Sequence, residues 1–143
     1  MMDIDFTTIG HHLMLLSAAY ALALPVAWNR EKGPRRSAGL RTFPLVAIAA
    51  CGYTLVGMQV LSTTDAESRV IYGIITGMGF IGGGAILKSR GGVTGTATAA
   101  SLWNTGAIGI AVAFRRFEIA IALSLLNYLT LQFVPYVKED IDE

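Results

Sequence analysis

The sequence contains few charged residues for its length. Asp, Glu, Lys and Arg make up 15% of its 143 residues, whereas a soluble domain averages roughly 25%. Hydrophobic residues make up 53%, and the mean hydropathy is +0.55. A soluble domain of this size keeps much of its surface in water and needs more polar residues than this. The composition therefore excludes an ordinary soluble domain and indicates a protein embedded in lipid.

Cysteine occurs only once, which excludes several kinds of site. Cys51 has no disulfide partner within the chain and cannot form a Cys-based zinc site. It lies in an apolar run, so we interpret it as a packing residue. No Ser/His/Asp, Cys/His or nucleotide-binding arrangement is present, and we expect no enzyme activity, no cofactor and no nucleic-acid partner. The adjacent His11 and His12 point about 100° apart on a helix, which favours an interfacial pair over a shared metal ion.

Long uncharged runs dominate the chain instead. Crossing a bilayer takes about 20 apolar residues, and the backbone must be helical because its polar groups cannot stay unpaired in lipid. The first run follows acidic rather than basic residues, so we expect it to be kept rather than cleaved as a signal peptide. The sequence predicts an all-α, polytopic membrane protein with a transmembrane domain at 1–137 and an acidic tail at 138–143. Its five predicted helices cover residues 6–28, 43–61, 70–87, 96–114 and 119–137.

The distribution of basic residues predicts the orientation. The loop NREKGPRRSAGLRT between helices one and two contains Arg30, Lys32, Arg35, Arg36 and Arg41. Basic loops face the cytoplasm, which places the N-terminus outside and the C-terminus in the cytoplasm. Of the eleven Lys and Arg, only Arg69, Arg115 and Arg116 then lie outside. The loop is also expected to attract anionic lipid headgroups, by about 1 kcal/mol for each basic residue near the surface.

Asp and Glu are absent from Ser68 to Phe117, and this decides how the glycine-rich segment is interpreted. The segment GMGFIG, from Gly77 to Gly82, matches the G-x-G-x-x-G pattern of dinucleotide-binding loops. That pattern requires a preceding strand and an acidic residue about 20 positions further on. Both are missing, and the residues before Gly77 continue a membrane-length run. The segment is therefore predicted to belong to a membrane helix.

Small residues four apart allow membrane helices to approach closely. On helix three, Gly73 is paired in this way with Gly77, and Gly79 with Gly83. Helix four has a longer stripe of Ala97, Ser101, Thr105, Gly109 and Ala113. We expect helices three and four to pack antiparallel through these residues. A second interpretation is that Gly82, Gly83 and Gly84 unwind helix three near its cytoplasmic end, leaving carbonyl groups that line a polar cavity.

A few polar residues are predicted at membrane depth, where such groups are costly. They are Gln59, Thr76, Ser101, Asn104 and Asn127. A hydrogen bond between helices, worth about 1 kcal/mol, explains each of them as well as a contact with a transported substrate does.

Several motifs follow one another in a characteristic order. The chain reads AGLRTFPLV after the basic loop, then RVIYGIITGMGFIGGGAILK, then GGVTGTATAASLWNTGAIGIA. Over residues 24–114 it resembles the membrane domain of the MgtC/SapB family, in a short form without the soluble C-terminal domain. It departs from the family pattern at Asn29, where a Glu is common, and at Asp65, which stands four rather than three positions before Arg69. Either Asp65 or Glu67 is expected to take that acidic position.

The resemblance implies a multi-pass protein of the bacterial inner membrane that is linked to magnesium homeostasis and, in some members, to virulence. Members are often labelled magnesium transport proteins, but the founding type is thought to restrain the ATP synthase rather than to carry the ion. The implied partners are the lipid bilayer, further copies of the chain, or another membrane complex such as ATP synthase.

By motif match, the resemblance implies functional positions in three parts of the chain. They are Arg30, Glu31, Gly39, Leu40, Arg41 and Thr42 around the basic loop; Arg69, Gly77, Gly79, Phe80, Gly82 and Gly84 on helix three; and Thr98, Ala99, Leu102 and Trp103 on helix four. To these we add Asn104, the polar residue near the middle of helix four.

Two functions remain open at this stage. The first is a regulatory membrane protein that acts through helix packing with partners. The second is a transporter or channel for magnesium or another ion, with a polar path past Thr76, Ser101 and Asn104. Magnesium normally needs one or two carboxylates nearby, and the predicted helix interiors have none. The acids that could recruit a hydrated cation are Asp65 and Glu67 on the outer face and Glu31 on the inner face.

Overall fold

The computed structural model describes residues 5–32, 38–89 and 92–141, and the side chains of these residues except 89 and 135–141. It contains five helices and a two-stranded hairpin, and the prediction of an all-α fold with five helices is confirmed. Three helices are longer than predicted, because the first continues past Trp28, the third starts before Val70 and the fifth continues past Val137. In chain order the elements are α1 (Phe6–Glu31), α2 (Thr42–Val60), α3 (Thr64–Gly84), β1 (Leu87–Ser89), β2 (Gly92–Thr94), α4 (Thr96–Ala113) and α5 (Phe117–Ile141).

Consecutive helices run antiparallel, so the bundle has two ends. Where α1 ends and α2 approaches its start, Glu31 Oε2 accepts the Leu40 N–H at 3.1 Å. Where α1 starts and α2 ends, His12 Nε2 lies 2.7 Å from Gln59 Nε2. We call the first the basic-loop end; it also holds the ends of α3 and α5 and the start of α4. We call the opposite one the N-terminal end.

Helix α4 lies at the centre of the bundle and contacts each of the other four helices. Its small side chains allow neighbouring backbones to approach closely. The closest approach is at Gly109, where a Cβ would overlap the Ala47 carbonyl oxygen of α2 and lie 2.9 Å from Ala50 Cβ. The predicted stripe is buried at Ser101, Thr105, Gly109 and Ala113 and exposed at Ala97. At Gly109 the stripe therefore packs against α2 and not, as predicted, against α3.

Helix α3 does pack antiparallel against α4, but through residues other than those predicted. A Cβ on Gly82 would lie 3.2 Å from the Ala99 carbonyl oxygen, and a Cβ on Gly106 would lie 2.7 Å from Met78 Cγ. The predicted pairs, Gly73 with Gly77 and Gly79 with Gly83, have no atom within 4 Å of a Cβ position, so they do not make this contact. The second interpretation, in which Gly82, Gly83 and Gly84 unwind the helix, is wrong, because α3 stays helical through Gly84.

The start of α3 is six residues earlier than predicted, at Thr64 rather than Val70. Thr63 caps the helix by accepting the Ala66 N–H on Oγ1 at 3.2 Å. Asp65 then forms an ion pair with Arg69 one turn later, at 3.0 Å. A threonine N-cap followed by an acid–base pair four residues apart stabilises a helix start, so the segment predicted as a link continues the helix.

The hairpin lies mostly in the loop predicted between helices three and four, but α3 ends at Gly84 instead of the predicted Leu87, and Leu87 begins β1. Leu87 pairs with Thr94 and Ser89 with Gly92, in antiparallel register. Gly95 follows with φ +90°, and a Cβ there would overlap the Ala85 carbonyl oxygen. Glycine is therefore required where the chain turns from the hairpin into α4. Arg90 lies outside the described residues.

Three of the described helices are long and apolar enough to cross a membrane, namely α1, α2 and the Phe117–Val134 part of α5. Helix α3 carries Asp65, Glu67 and Arg69 in its first turns, and α4 is rich in Thr, Ser, Gly and Ala. Because α4 is surrounded by the other helices, its composition suits contact with protein more than contact with lipid.

Candidate functional site

The helical glycines fall into two groups according to what surrounds them. Gly52, Gly57, Gly82, Gly106 and Gly109 have atoms of a neighbouring helix within 4 Å of a Cβ position. Their lack of a side chain is explained by packing within the chain. A second group lies on α3. A Cβ on any of these glycines would meet no atom within 4 Å other than the nearby backbone of α3 itself. This group, which we call the open glycine face, consists of Gly73, Gly77, Gly79, Gly83 and Gly84.

Part of the open glycine face lines a groove between α2 and α3. The groove encloses about 360 Å³, with Gly73 and Gly77 on one wall and Ala49 and Tyr53 on the other. Tyr53 is 65% exposed, and Phe80, on the outer side of α3, is 88% exposed. The surface thus combines bare backbone with large exposed side chains. In lipid, such a surface allows close approach of another helix.

A second groove runs over α4 between α3 and α5 and encloses about 690 Å³. Its lining is apolar except for a few groups, two of which are Trp103 and Asn104. Trp103 Nε1 donates to the Ile75 carbonyl of α3 at 3.3 Å. Asn104 Nδ2 donates to the Leu123 carbonyl of α5 at 3.2 Å. These two side chains therefore join α4 to the helices on either side of it.

The residues of the predicted polar path do not come together. Thr76 is exposed and donates to the Tyr72 carbonyl of its own helix at 2.9 Å. Ser101 donates to Asn127 Oδ1 of α5 at 3.0 Å. Gln59 lies beside His12 at the N-terminal end. Of the two interpretations, hydrogen bonding between helices accounts for Ser101, Asn104 and Asn127. Thr76 bonds within its own helix.

The Ser101–Asn127 pair allows a direct test of this interpretation. We expect Ser101→Ala and Asn127→Ala each to lower the free energy of unfolding by about 1 kcal/mol. The double variant should lose little more than either single one, because both changes remove the same contact. Unfolding of the detergent-solubilised protein measures this. Thr130→Ala is the control, since Thr130 is exposed and bonds only within α5, to the Leu126 carbonyl. Fully additive losses would contradict the assignment.

At the basic-loop end, the structure brings together the predicted motif residues of the loop. Besides its bond from the Leu40 N–H, the Glu31 carboxylate occupies the space that a Cβ on Gly39 would need. The Gly39 carbonyl accepts the Thr42 N–H at 3.0 Å as α2 begins. Glu31 and Gly39 thus fit each other, which explains why this turn requires a glycine. Arg41 is exposed at the same place, and Arg35 and Arg36 lie outside the described residues.

The end of α1 is linked to α4 and α5 by side chains at the same end. Arg30 Nη1 donates to Thr98 Oγ1 of α4 at 3.5 Å. Asn29 Nδ2 donates to Gln132 Oε1 of α5 at 3.0 Å. The motif residues Arg30 and Thr98 therefore meet. The role of Gln132 was missed; its polarity near the end of an apolar helix is the signal that points to it.

The acids considered for a cation lie at opposite ends of the bundle. Asp65 pairs with Arg69 at the N-terminal end, where Glu67 is also found, whereas Glu31 is at the basic-loop end. It is Asp65, not Glu67, that contacts Arg69. Within the part of the chain that the structure describes, no three His, Cys, Asp or Glu side chains are grouped so that they could hold a metal ion.

The two histidines at the N-terminal end have different hydrogen-bond partners. His11 Nε2 accepts from Arg115 Nη2 at 2.8 Å, while His12 faces Gln59 of α2. Arg115 has φ +58°, a left-handed conformation that is uncommon for a residue with a side chain. The sequence predicted an interfacial pair at these positions and missed Arg115 as a partner.

The comparisons with known proteins identify the family of the chain. The sequence model of the MgtC family matches residues 16–140, and the chain belongs to this family. It is 31% identical over 140 residues to Protein SrpB of Synechococcus elongatus, covering 89% of this chain and 75% of that protein.

Two further relatives are named Protein MgtC. The protein of Salmonella typhimurium is 33% identical over 115 residues, covering 80% of this chain and 48% of that protein. The protein of Brucella abortus is 35% identical over 102 residues, covering 71% of this chain and 42% of that protein. The match thus spans less than half the length of these MgtC relatives. No solved structure gives a significant match.

Proposed function

We propose that this chain is a regulatory protein of the bacterial inner membrane that acts by helix packing with partners, in adaptation to low magnesium. The open glycine face of α3 carries this proposal. In a membrane helix, glycines normally serve close approach by another helix, yet a Cβ on any of these five would meet no atom of another described element within 4 Å. A partner helix, from another membrane complex or from a second copy, gives them that role. The magnesium link rests on family membership.

The proposal includes five membrane-spanning helices with the N-terminus outside. Charge supports this orientation, since the basic-loop end carries Arg30, Lys32, Arg41 and Lys88 among its described side chains. Helix α4 is polar for a membrane span, but its contacts with all four other helices shield it from lipid. Helix α3 begins with charged residues that are exposed at the N-terminal end, and its apolar part follows.

The family also suggests partners. Under the regulatory proposal, an ATP synthase complex is one candidate partner, and a second copy of this chain is another. Both would present a helix to the groove beside Gly73 and Gly77, which encloses about 360 Å³. The same substitutions in this groove test both candidates, because both require close approach of backbones.

Transport is the competing function, and a flux assay separates it from regulation. Purified protein in liposomes is placed across a magnesium gradient, and magnesium entry is followed with an enclosed indicator. We expect entry no faster than in liposomes without protein, because Thr76 bonds within its own helix whereas Ser101 and Asn104 bond to α5. Faster entry that is reduced by Asn104→Ala would contradict the regulatory proposal and support transport. Thr130→Ala is a suitable control, since Thr130 bonds within its own helix.

A further inference from the structure

Arg30 is a partly buried cation whose described partners are all neutral. Its Nη1 donates to Thr98 Oγ1 at 3.5 Å and its Nη2 to Asn29 Oδ1 at 3.3 Å, both long distances for a charged donor. Its Nε is buried and has no acceptor among the described residues. A guanidinium carries five N–H donors and a full charge, and taking it partly out of water is costly unless an anion compensates it.

The surroundings of Arg30 add positive charge. The described side chains at this end include the cations Lys32, Arg41 and Lys88, and the carboxylate of Glu31, which accepts the Leu40 N–H. The other acids among the described side chains, Asp5, Asp65, Glu67 and Glu118, lie at the opposite end of the bundle. Arg30 is therefore in a basic region in which no described carboxylate lies within ion-pair distance of it.

The helix that Arg30 contacts makes this placement less favourable still. Thr98 lies in the first turn of α4, whose N-cap is Gly95 and whose N-terminus has no side-chain cap. The start of a helix carries partial positive charge, so a cation there is disfavoured and an anion favoured. An anion between Arg30 and the start of α4 would relieve both charges at once.

We propose that Arg30, together with the Thr98 hydroxyl and the first turn of α4, binds a phosphate group at the membrane surface. The planar guanidinium presents paired donors that match phosphate oxygens. The phosphate of an anionic lipid headgroup and free inorganic phosphate share this chemistry. The site differs from general attraction of lipid to the basic loop, because it depends on one arginine that is held by α1 and α4.

The test measures lipid binding to the purified full chain in detergent. Short-chain phosphatidylglycerol is titrated, and bound lipid is counted by native mass spectrometry. Phosphatidylcholine, whose phosphate is balanced by its choline cation so that the headgroup has no net charge, is the comparison. We expect Arg30→Gln to weaken phosphatidylglycerol binding about tenfold, as the loss of a charge-assisted bond does. Lys88→Gln removes one positive charge from the same end, at an exposed strand residue, and should change the affinity less than twofold.

A second titration with inorganic phosphate identifies the source of the group. Binding of phosphatidylglycerol with no binding of inorganic phosphate assigns the site to a lipid, whereas binding of both assigns it to phosphate in general. Equal losses in Arg30→Gln and Lys88→Gln would overturn the proposal, since they would show general charge attraction.

The folding of the Arg30 variants is checked separately. Phosphatidylglycerol should raise the unfolding temperature of the unchanged protein and of Lys88→Gln, but not that of Arg30→Gln. Thr98→Val keeps the size of the side chain and removes its hydroxyl, so it should weaken binding less than Arg30→Gln does. A rise of equal size in all four proteins would also overturn the proposal.

Discussion

Gly109→Ala is expected to destabilise the bundle strongly although it adds a single methyl group. A Cβ at Gly109 would overlap the Ala47 carbonyl oxygen and lie 2.9 Å from Ala50 Cβ and 3.0 Å from the Cys51 nitrogen. Two of these atoms belong to the backbone of α2, which cannot move aside as a side chain does. Overpacking of this kind costs about 3 kcal/mol, which corresponds to a fall of about 10 °C in the unfolding temperature.

The matched control is Gly83→Ala, which adds the same methyl group to a helical glycine with no atom within 4 Å. Alanine is the better helix former, so this variant should keep or raise the stability, by up to about 1 kcal/mol. Thermal unfolding of both purified proteins in the same detergent makes the comparison. Equal stability of the two variants would contradict the packing of α4 against α2 at Gly109.

Gly77→Leu is expected to abolish function while leaving the fold intact. Gly77 has no atom within 4 Å of a Cβ position, and a leucine there would extend into the groove between α2 and α3. Filling the groove keeps a partner helix from approaching the backbone of α3, and close approach is what stabilises helix pairs in lipid. We expect the substitution to weaken partner binding at least about tenfold, a loss of the order of 1.4 kcal/mol. In a strain that lacks its own copy of the gene, this variant should therefore fail to restore growth at low magnesium.

Gly77→Ala provides a graded version of the same change. One methyl group on a helix surface leaves most of the groove open, so this variant should retain part of the activity. The unfolding temperatures of both variants should match that of the unchanged protein within a few degrees. A variant that inserts poorly into the membrane is recognised by its amount in the membrane fraction and is compared only at equal amounts.

The number and order of the helices follow from the sequence because membrane length and helical backbone are strong physical requirements. Uncharged runs of suitable length gave five helices, and the structure has five. The predicted start of α3 was wrong because only uncharged runs were assigned to helices, and the first turns of α3 are charged. The signals for the correct start were present, since Thr63 is an N-cap residue and Asp65 stands four positions before Arg69.

The faces of the helices could not be predicted in the same way. Spacing identifies small residues that allow close approach, but it does not show which helix approaches. Gly82 packs against Ala99. A Cβ on Gly79 or Gly83 of the same helix would meet no atom of another described element within 4 Å. Their spacing looks alike in the sequence. The choice depends on how the whole bundle packs, and above all on the central position of α4.

The contacts at the basic-loop end also could not be predicted from local sequence patterns. Arg30 with Thr98 and Asn29 with Gln132 join residues far apart in the chain. The resemblance to the family named Arg30 and Thr98 as important without stating that they touch. Asn29 was noted only as the replacement of an acid, and the structure gives it a partner of its own, the amide of Gln132.

The central claim is that the open glycine face receives a partner helix, and a comparison of two Gly→Leu variants tests it most directly. Gly77→Leu changes that face, and Gly10→Leu makes the same change on α1, also at a glycine with no atom within 4 Å. Growth at low magnesium is measured with both proteins at equal amounts in the membrane. The account predicts that Gly10→Leu restores growth and Gly77→Leu does not. Full growth with a properly inserted Gly77→Leu protein would contradict it.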